Sequence, residues 1–287
     1  MIKLKMGIST KINSSKAKAT LPLRLSPSSI SVFKQCRRQY KFLYVDKLGD
    51  QYRKAKPFFT MANHIHATLK DFFAITPVEL RTPETIICLL EKNWRRYQVG
   101  FRNAEDEKRW QEKALRQLSD FVRNTDVTVE PLTTEWSFET RVTPGVVLNG
   151  RIDRIDRQGD DTLHIIDYKT GNMPQKMEWT QVRLNALAAV QNLHLPVSKV
   201  SYLYLNSCTF ATCDMLPEDI QEINWDLLQI AQAVGKEKRY LPSAGKWCSG
   251  CDFRSLCPGS PEVVPSFSEE QLELWEDGSD RVDDISE

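Results

Sequence analysis

Residues 150–171 constrain the fold more than any other stretch of the chain. The segment, GRIDRIDRQGDDTLHIIDYKTG, combines the alternation of β-strands with an unusual number of carboxylates. Its Gly-Asp-Asp triplet is typical of a turn, so the segment predicts two strands joined as a hairpin. Strand interiors disfavour Asp, and a buried carboxylate without a partner is costly. Asp153 and Asp167 therefore indicate that something compensates their charge.

The spacing within these strands predicts a metal site. Residues two apart in a strand share a face, so Asp167 and Lys169 point the same way. Tyr168 points to the opposite face and leaves its backbone carbonyl near the Asp side. Asp153 is expected to lie opposite them on the neighbouring strand, while Asp156 is expected to face away and to tolerate substitution. Two carboxylates and a carbonyl favour Mg²⁺ or Mn²⁺, and a lysine beside that metal can position water. The alternative from spacing alone is a set of exposed strand charges with a surface Asp–Lys ion pair.

The remaining sequence predicts helices before the hairpin, and a helix, a strand and a further helix after it. The chain has 287 residues, of which 41% are hydrophobic, an ordinary composition for a globular protein. Helices are predicted from a serine cap after Pro27 onward, at FFTMANHIHATLKDFFAI, and at residues 84–101, 105–123, 180–191 and 217–233. Strands are predicted at TTEWSFETRV, VVLNGRIDRIDRQ, TLHIIDYKTG and KVSYLYLNS. This order predicts a mixed α/β fold.

Charge is segregated along the chain. Residues 1–24 contain six Lys or Arg and no acid, which predicts a disordered basic tail. Residues 259–287 contain ten Asp or Glu against one Arg, which predicts a solvated or self-masking acidic C-terminal tail. The mildly basic body, residues 25–258, favours a polyanion as partner. The sequence has no apolar run long enough to span a membrane and no secretory h-region, so we expect a cytoplasmic protein. An organellar targeting peptide is the alternative for this basic N-terminal composition.

Seven cysteines in a cytoplasmic chain argue against disulfides. Cys248, Cys251 and Cys257 are spaced as ligands of one metal site that needs a fourth thiolate. Spacing alone favours structural zinc for such a site. The candidates for the fourth ligand are Cys36, Cys88, Cys208 and Cys213. We expect Cys88 to be a core residue and the last two to be ordinary packing residues.

The order G-R-I-D-R-I-D, turn, I-I-D-Y-K-T-G resembles the PD-(D/E)XK nuclease superfamily, in particular its RecB-like exonuclease and Cas4-like branch. The resemblance implies a restriction-endonuclease-like mixed central sheet flanked by helices, with helical additions and a C-terminal Cys-rich loop. The segment ANHIHATLKDFF resembles the first helix motif of the branch, and His66 matches its histidine better than His64. Glu135 stands where the branch often has a Glu, and Gln181 matches its glutamine helix. The chain departs from the pattern at Asn185, where an aromatic residue is usual, and at Ala62, where Gly is frequent.

The resemblance implies roles for these residues. His66, Asp153, Asp167 and the backbone carbonyl of Tyr168 would bind Mg²⁺ or Mn²⁺. Lys169 would activate or position water, and Gln181 would position DNA or the lysine. The four catalytic residues would be Asp153, Asp167, Lys169 and Gln181. In the same branch, an upstream cysteine joins three late ones around a [4Fe–4S] cluster, and the matching residues here are Cys36, Cys248, Cys251 and Cys257.

The helix around Cys36 also interleaves basic and aromatic residues, which suits single-stranded DNA, although a solvated face over a core stripe is an equal alternative. The predicted DNA-binding residues are Lys34, Arg37, Arg38, Tyr40 and Lys41. We therefore expect a single-strand exonuclease or an enzyme that processes duplex ends, in repair, recombination or CRISPR adaptation. Its partners would be DNA and a helicase or a CRISPR adaptation protein. The alternative function is a non-catalytic DNA-binding subunit of such a complex.

Overall fold

The computed structural model of the protein describes residues 21–257. The predictions for the basic tail before residue 21 and for the acidic tail lie outside the described residues. The centre of the fold is a six-stranded mixed sheet. Its strands are β1 (Leu23–Leu25), β2 (Thr133–Thr143), β3 (Val146–Arg157), β4 (Leu163–Lys169), β5 (Val197–Tyr204) and β6 (Thr209–Asp214). The sequence patterns missed β1 and β6, and the assignment of Leu23 and Arg24 to a disordered tail was wrong because both pair within the sheet.

The long strand β3 organises the sheet. On one side it pairs with β2 in antiparallel fashion along nearly all of its length. On the other side it pairs first with β1, in parallel, and then with β4, antiparallel. Strands β4 and β5 are parallel, and β5 and β6 are antiparallel. A mixed sheet of this kind, flanked by helices, confirms the predicted restriction-endonuclease-like α/β class.

Gly150, the first residue of the G-R-I-D motif, has a steric reason for its place in β3. It lies opposite Phe138 in the β2–β3 ladder. A Cβ atom at position 150 would come within 2.9 Å of the Phe138 ring. The aromatic side chain therefore occupies the space that a glycine leaves.

Helices flank the sheet, and most of their predicted bounds are close to the observed ones. The predicted helix over residues 84–101 ends early, at Trp94, and a loop follows it. The helices are α1 (Pro27–Gln35), α2 (Arg37–Tyr40), α3 (Gly49–Tyr52), α4 (Pro57–Ala74), α5 (Pro83–Trp94), α6 (Ala104–Asn124), α7 (Thr180–Leu193) and α8 (Pro217–Lys236). Along residues 21–257 no helix combines the length and apolarity that a bilayer crossing requires.

The first helix begins two residues earlier than the predicted serine cap after Pro27 would place it. Ser26 is the N-cap and forms a reciprocal capping box with Ser29, while Pro27 takes the first helical position, where its missing N–H costs nothing. The helix ends at Cys36, whose backbone is extended with φ −155°. The predicted single helix is therefore two helices with Cys36 at the break between them.

Two apolar layers hold the sheet in place. Helices α1, α7 and α8 cover one face, where Ile165 of β4 is buried with Leu187. Helices α4, α5 and α6 cover the other, where the next residue, Ile166, is buried with Leu69 and Leu203. Consecutive strand residues enter different layers because the side chains of a strand alternate. Full burial of such a side chain contributes about 1.5–3 kcal/mol, so both layers stabilise the sheet that carries the carboxylates.

The buried pair Arg154–Asp156 was not predicted. The Arg154 guanidinium donates two hydrogen bonds of 2.7 Å to the Asp156 carboxylate, and both side chains are buried. The guanidinium carbon also lies 4.5 Å from the centre of the Phe73 ring. The expectation that Asp156 tolerates substitution was therefore wrong, because its removal would leave a buried guanidinium without its anion.

We expect Asp156→Ala to lower the free energy of unfolding by about 3–5 kcal/mol, the cost of leaving one partner of a buried ion pair uncompensated. Urea denaturation followed by circular dichroism measures the change. The matched control is Glu139→Ala, because Glu139 pairs with Arg24 at the surface and its removal should change the stability little. Equal, small effects of the two substitutions would contradict the assignment of Asp156 to a buried pair.

Candidate functional site

The site is built where the β3–β4 ladder stops. The ladder pairs Arg154 with Ile166, and the same register places Asp153 opposite Asp167. Backbone pairing does not continue to that position. Instead, the Asp153 carboxylate accepts a hydrogen bond of 2.7 Å from the Tyr168 backbone N–H. A side chain therefore replaces a ladder bond and brings two acidic residues of adjacent strands together.

Helix α4 contributes a histidine to this point of the sheet. His66 Nδ1 lies 3.2 Å from Asp153 Oδ1 and 3.6 Å from Glu135 Oε1. His64, two residues earlier on the same helix, points to a different part of the protein. Its ring stacks on that of Tyr97, and its Nε2 lies 3.0 Å from the Tyr97 carbonyl oxygen. The structure thus directs His66, and not His64, to the carboxylates.

Glu135 completes a group of three ligand residues. The register of β2 and β3 places Glu135 opposite Asp153, but its backbone adopts the left-handed conformation, with φ +49°. Such a conformation is strained for a residue with a side chain, and strain of this kind clusters at functional sites. One ligand atom from each of His66, Glu135 and Asp153 lies within 4.8 Å of the other two. In the sequence, the family resemblance singles out Glu135 only by its position and implies no role for it.

The Glu135 carboxylate is held at one oxygen only. Its Oε2 lies 2.9 Å from Arg151 Nε, whereas its Oε1 is buried, accepts no hydrogen bond among the described residues and lies 3.6 Å from His66 Nδ1. A buried acceptor without a hydrogen bond costs about 1–3 kcal/mol unless a ligand satisfies it. A cation between Glu135 Oε1 and His66 Nδ1 would satisfy both atoms.

Asp167, Lys169 and Gln181 form a second cluster beside the first. Lys169 Nζ lies 3.1 Å from Asp167 Oδ2 and donates a hydrogen bond of 2.9 Å to Gln181 Oε1. The Gln181 amide in turn donates to Asp167 Oδ1 at 2.8 Å. The ammonium also lies 4.9 Å from the centre of the Tyr202 ring. Asp167 and Lys169 therefore share a face as predicted, and Gln181 holds both of them.

The two buried aspartates differ in their electrostatics. Burial raises the pKa of Asp167 to about 7, and the nearby Asp153 charge adds to this, although Lys169 opposes it. Burial also acts to raise the pKa of Asp153, but His66, the Tyr168 N–H and Lys169 outweigh it and hold that pKa below its usual value. Paired carboxylates in one site commonly separate in this way. Of the two carboxylates, Asp167 therefore holds a proton more readily than Asp153.

The residues present fit a divalent cation. Two carboxylate oxygens and an imidazole nitrogen form the group of three, and Asp167 supplies a further carboxylate nearby. The carboxylate oxygens, which are the majority of these donors, favour Mg²⁺ or Mn²⁺. Asp167 is not within the 4.8 Å group in this structure, so the predicted ligand set of His66, Asp153, Asp167 and the Tyr168 carbonyl stays a prediction.

A cleft of about 910 Å³ opens onto the site. His66, Glu135 and Arg151 lie on its wall, together with residues from α1, α4 and the Cys-rich loop. Its basic lining residues are Arg53, Lys54, Lys56, Lys70, Arg96 and Arg151. A concave, largely positive surface beside a carboxylate site favours an anionic substrate.

The predicted DNA-binding residues lie outside this cleft lining. Tyr40 is only 4% exposed and packs against Phe33 and Tyr44, so the prediction that it stacks on bases was wrong. Helical periodicity places Tyr40 on one face of the helix but does not reveal whether that face packs against the core or meets solvent. The four basic residues of the set contact other groups, namely Lys34 with Thr180, Arg37 with Glu237, Arg38 with the Phe42 ring and Lys41 with Asp46. Their binding to DNA stays a prediction.

The Cys-rich loop packs close to the chain segment that follows Cys36. Phe253 of the loop is buried, with its ring 5.4 Å from that of Phe42. Cys36 itself is buried at the helix break, and the three loop cysteines, Cys248, Cys251 and Cys257, are partly exposed. Cys88 is exposed on α5, so its assignment to the core was wrong, because the helix turns that face to solvent. Cys208 and Cys213 pack against the two apolar layers as expected.

Among the comparisons with known proteins, one establishes the family of the chain. A solved structure titled "Crystal structure of SSO0001" is similar at 13% identity and a TM-score of 0.33, over 83% of this chain and 87% of that one. A likeness this weak does not by itself establish a shared fold. A search of curated proteins returned no match. A family model described as the PD-(D/E)XK nuclease superfamily matches residues 24–258, which include every residue of the site. The chain therefore belongs to the PD-(D/E)XK nuclease superfamily.

Proposed function

We propose that the protein is a Mg²⁺- or Mn²⁺-dependent deoxyribonuclease that hydrolyses phosphodiester bonds, acting as a single-strand exonuclease or on duplex ends. The observation that carries the proposal is the approach of His66, Glu135 and Asp153 to one point beside the Asp167–Lys169 pair. Family membership supplies the nuclease class, and the basic cleft supplies a surface for a polyanion. Repair, recombination or CRISPR adaptation would be the setting, with a helicase or adaptation protein as partner.

Each side chain has a physical part in this reaction. Hydrolysis adds water to phosphorus and breaks one P–O bond, with negative charge growing on the phosphate oxygens. A bound divalent cation would supply Lewis acidity and lower the pKa of nearby water. The Lys169 ammonium, held by Asp167 and Gln181, donates hydrogen bonds toward the attacking water and the developing charge. Because these contacts pre-orient the ammonium, little reorganisation is needed during the reaction.

We also propose that Cys36, Cys248, Cys251 and Cys257 bind a [4Fe–4S] cluster. The support is that the loop carrying three of them packs through Phe253 against Phe42, six residues after Cys36. Thiolates from both segments would then join parts of the chain that are more than 200 residues apart in sequence. The competing ligand is one structural zinc ion held by the same four thiolates.

We expect Asp167→Asn and Lys169→Ala each to lower the rate of DNA cleavage by about a thousandfold, because they remove site charge or the group that positions water. Cleavage is followed with end-labelled single-stranded, blunt duplex, end-blocked and circular DNA in Mg²⁺, Mn²⁺ or EDTA. Binding to the same DNA in EDTA should change less than about twofold, since the cleft contacts remain.

The matched controls for these two variants are Asp214→Asn and Lys199→Ala, exposed residues of β6 and β5. Both controls should cleave like the unchanged protein. Metal-dependent cleavage at the normal rate by Asp167→Asn or Lys169→Ala would contradict the assigned site. Binding without cleavage by the unchanged protein in either metal would favour the alternative of a non-catalytic DNA-binding subunit.

We expect Glu135→Gln to weaken Mn²⁺ binding by about tenfold or more, because it removes one charge from the group of three ligands. Isothermal titration calorimetry without DNA measures the affinity independently of catalysis. Glu139→Gln is the matched control, since it changes an exposed glutamate of the same strand. Unchanged Mn²⁺ affinity in Glu135→Gln would remove Glu135 from the metal site.

We expect anaerobically purified protein to be brown and to contain about four irons and about four acid-labile sulfides per chain. Cys36→Ser should lose both the colour and the iron, whereas Cys88→Ser, an exposed control on α5, should keep them. Metal and sulfide analysis is made on oxygen-free material. A colourless protein with one equivalent of zinc would exclude the cluster.

A further inference from the structure

The cleft beside the site carries positive charge that its own residues leave uncompensated. Three of its six basic side chains form ion pairs with acidic neighbours. The nitrogen–oxygen distances are 3.6 Å for Lys56–Asp252, 3.9 Å for Arg96–Asp71 and 2.9 Å for Arg151–Glu135. The other three, within the described part of the chain, make no ion pair. These are Arg53, Lys54 and Lys70. The cleft therefore presents three cations to whatever occupies it.

The last described residues of the chain follow directly on residues that line this cleft. Gly250, Asp252 and Phe253 of the Cys-rich loop line the cleft, and the described residues end only four positions later, at Cys257. Lys56 holds this wall through a hydrogen bond of 3.0 Å to the Gly250 carbonyl. An extended chain advances about 3.4 Å per residue, so Glu262 is within about 30 Å of Phe253.

The segment that begins there has the opposite charge. Residues 258–287 contain ten Asp or Glu and one Arg, a net charge of −9. Within it, the stretch EEQLELWED places acids on both sides of Trp275. Carboxylates are acceptors that pair with Arg and Lys as phosphates do, and an indole ring offers a flat face as a base does. The chemistry of the segment thus imitates that of a single strand of nucleic acid.

We propose that the acidic segment 258–287 docks in the basic cleft of its own chain and competes there with DNA. Arg53, Lys54 and Lys70 pair with its carboxylates, and DNA displaces the segment when it binds the same cations. The cleft of about 910 Å³ holds a short stretch of the segment and not all thirty residues. Docking itself rests on charge and chain connectivity, while its effect on DNA rests on the proposed function.

The first experiment locates the segment in the intact chain without DNA. Carbodiimide joins carboxylates to lysines in direct contact, and mass spectrometry identifies the joined peptides. We expect acids of the segment to be linked to Lys54 and Lys70. Lys108 and Lys236, exposed on α6 and at the end of α8, are matched lysines outside the cleft and should show little linkage. Equal linkage to all four lysines would overturn docking in the cleft.

The second experiment measures competition through fluorescence anisotropy with a labelled 30-nucleotide oligothymidylate. The variant replaces Glu269, Glu270, Glu273 and Glu276 with Gln in the full chain. We expect it to bind about tenfold more tightly than the unchanged protein at about 50 mM salt, with the difference largely lost at about 500 mM. Its matched control alters the net charge equally at four exposed acids of helices α5, α6 and α8, namely Glu91→Gln, Glu112→Gln, Glu218→Gln and Asp226→Asn.

The two experiments fail in distinguishable ways. An equal rise in affinity for the variant and its charge-matched control would show general electrostatics and overturn competition in the cleft. If the unchanged protein bound no DNA at any salt concentration, the proposed function would fail, while the cross-links would still decide whether the segment docks. Linkage to Lys54 and Lys70 that oligothymidylate suppresses would support both parts of the proposal.

Discussion

The hydrogen bond from the Tyr168 N–H to the Asp153 carboxylate is the contact on which the site depends. This bond joins β3 and β4 at the point where their backbone ladder ends, so it keeps the two strands in register. The other carboxylate oxygen of Asp153 faces His66. Register matters because a slip of one residue would move Asp167 and Lys169 to the opposite face of the sheet. A single side-chain bond thus sets the positions of both clusters of the site.

Such a site is costly to the fold. Glu135 is held in a left-handed conformation with one buried oxygen that accepts no hydrogen bond from the described residues. Asn185, one turn after Gln181 on α7 and only 1% exposed, makes no hydrogen bond through either amide atom with any described residue. Each unsatisfied group costs about 1–3 kcal/mol. The two apolar layers on either side of the sheet offset these costs, since a few fully buried aliphatic side chains contribute a comparable amount.

The cleft joins three parts of the chain that are distant in sequence. Helix α4 carries His66 and Lys70, β2 and β3 carry Glu135 and Arg151, and the Cys-rich loop closes the wall through Asp252. The loop is held there by Lys56 and by the packing of its phenylalanine on the segment after Cys36. The candidate metal ligands His66 and Glu135 and the Cys-rich loop therefore line one cleft.

Much of the site follows from local sequence. The alternation of a strand is enough to place Asp167 with Lys169 and to turn Tyr168 away, because side-chain direction has a period of two residues. The α/β class also follows from the order of helical and strand patterns, whereas the mixed central sheet was implied by the family resemblance. The role of Glu135, the burial of Asp156 and Tyr40 and the exposure of Cys88 were decided only by tertiary structure. Each depends on which neighbour packs against an already amphipathic element, and periodicity specifies the faces of an element but not what meets them.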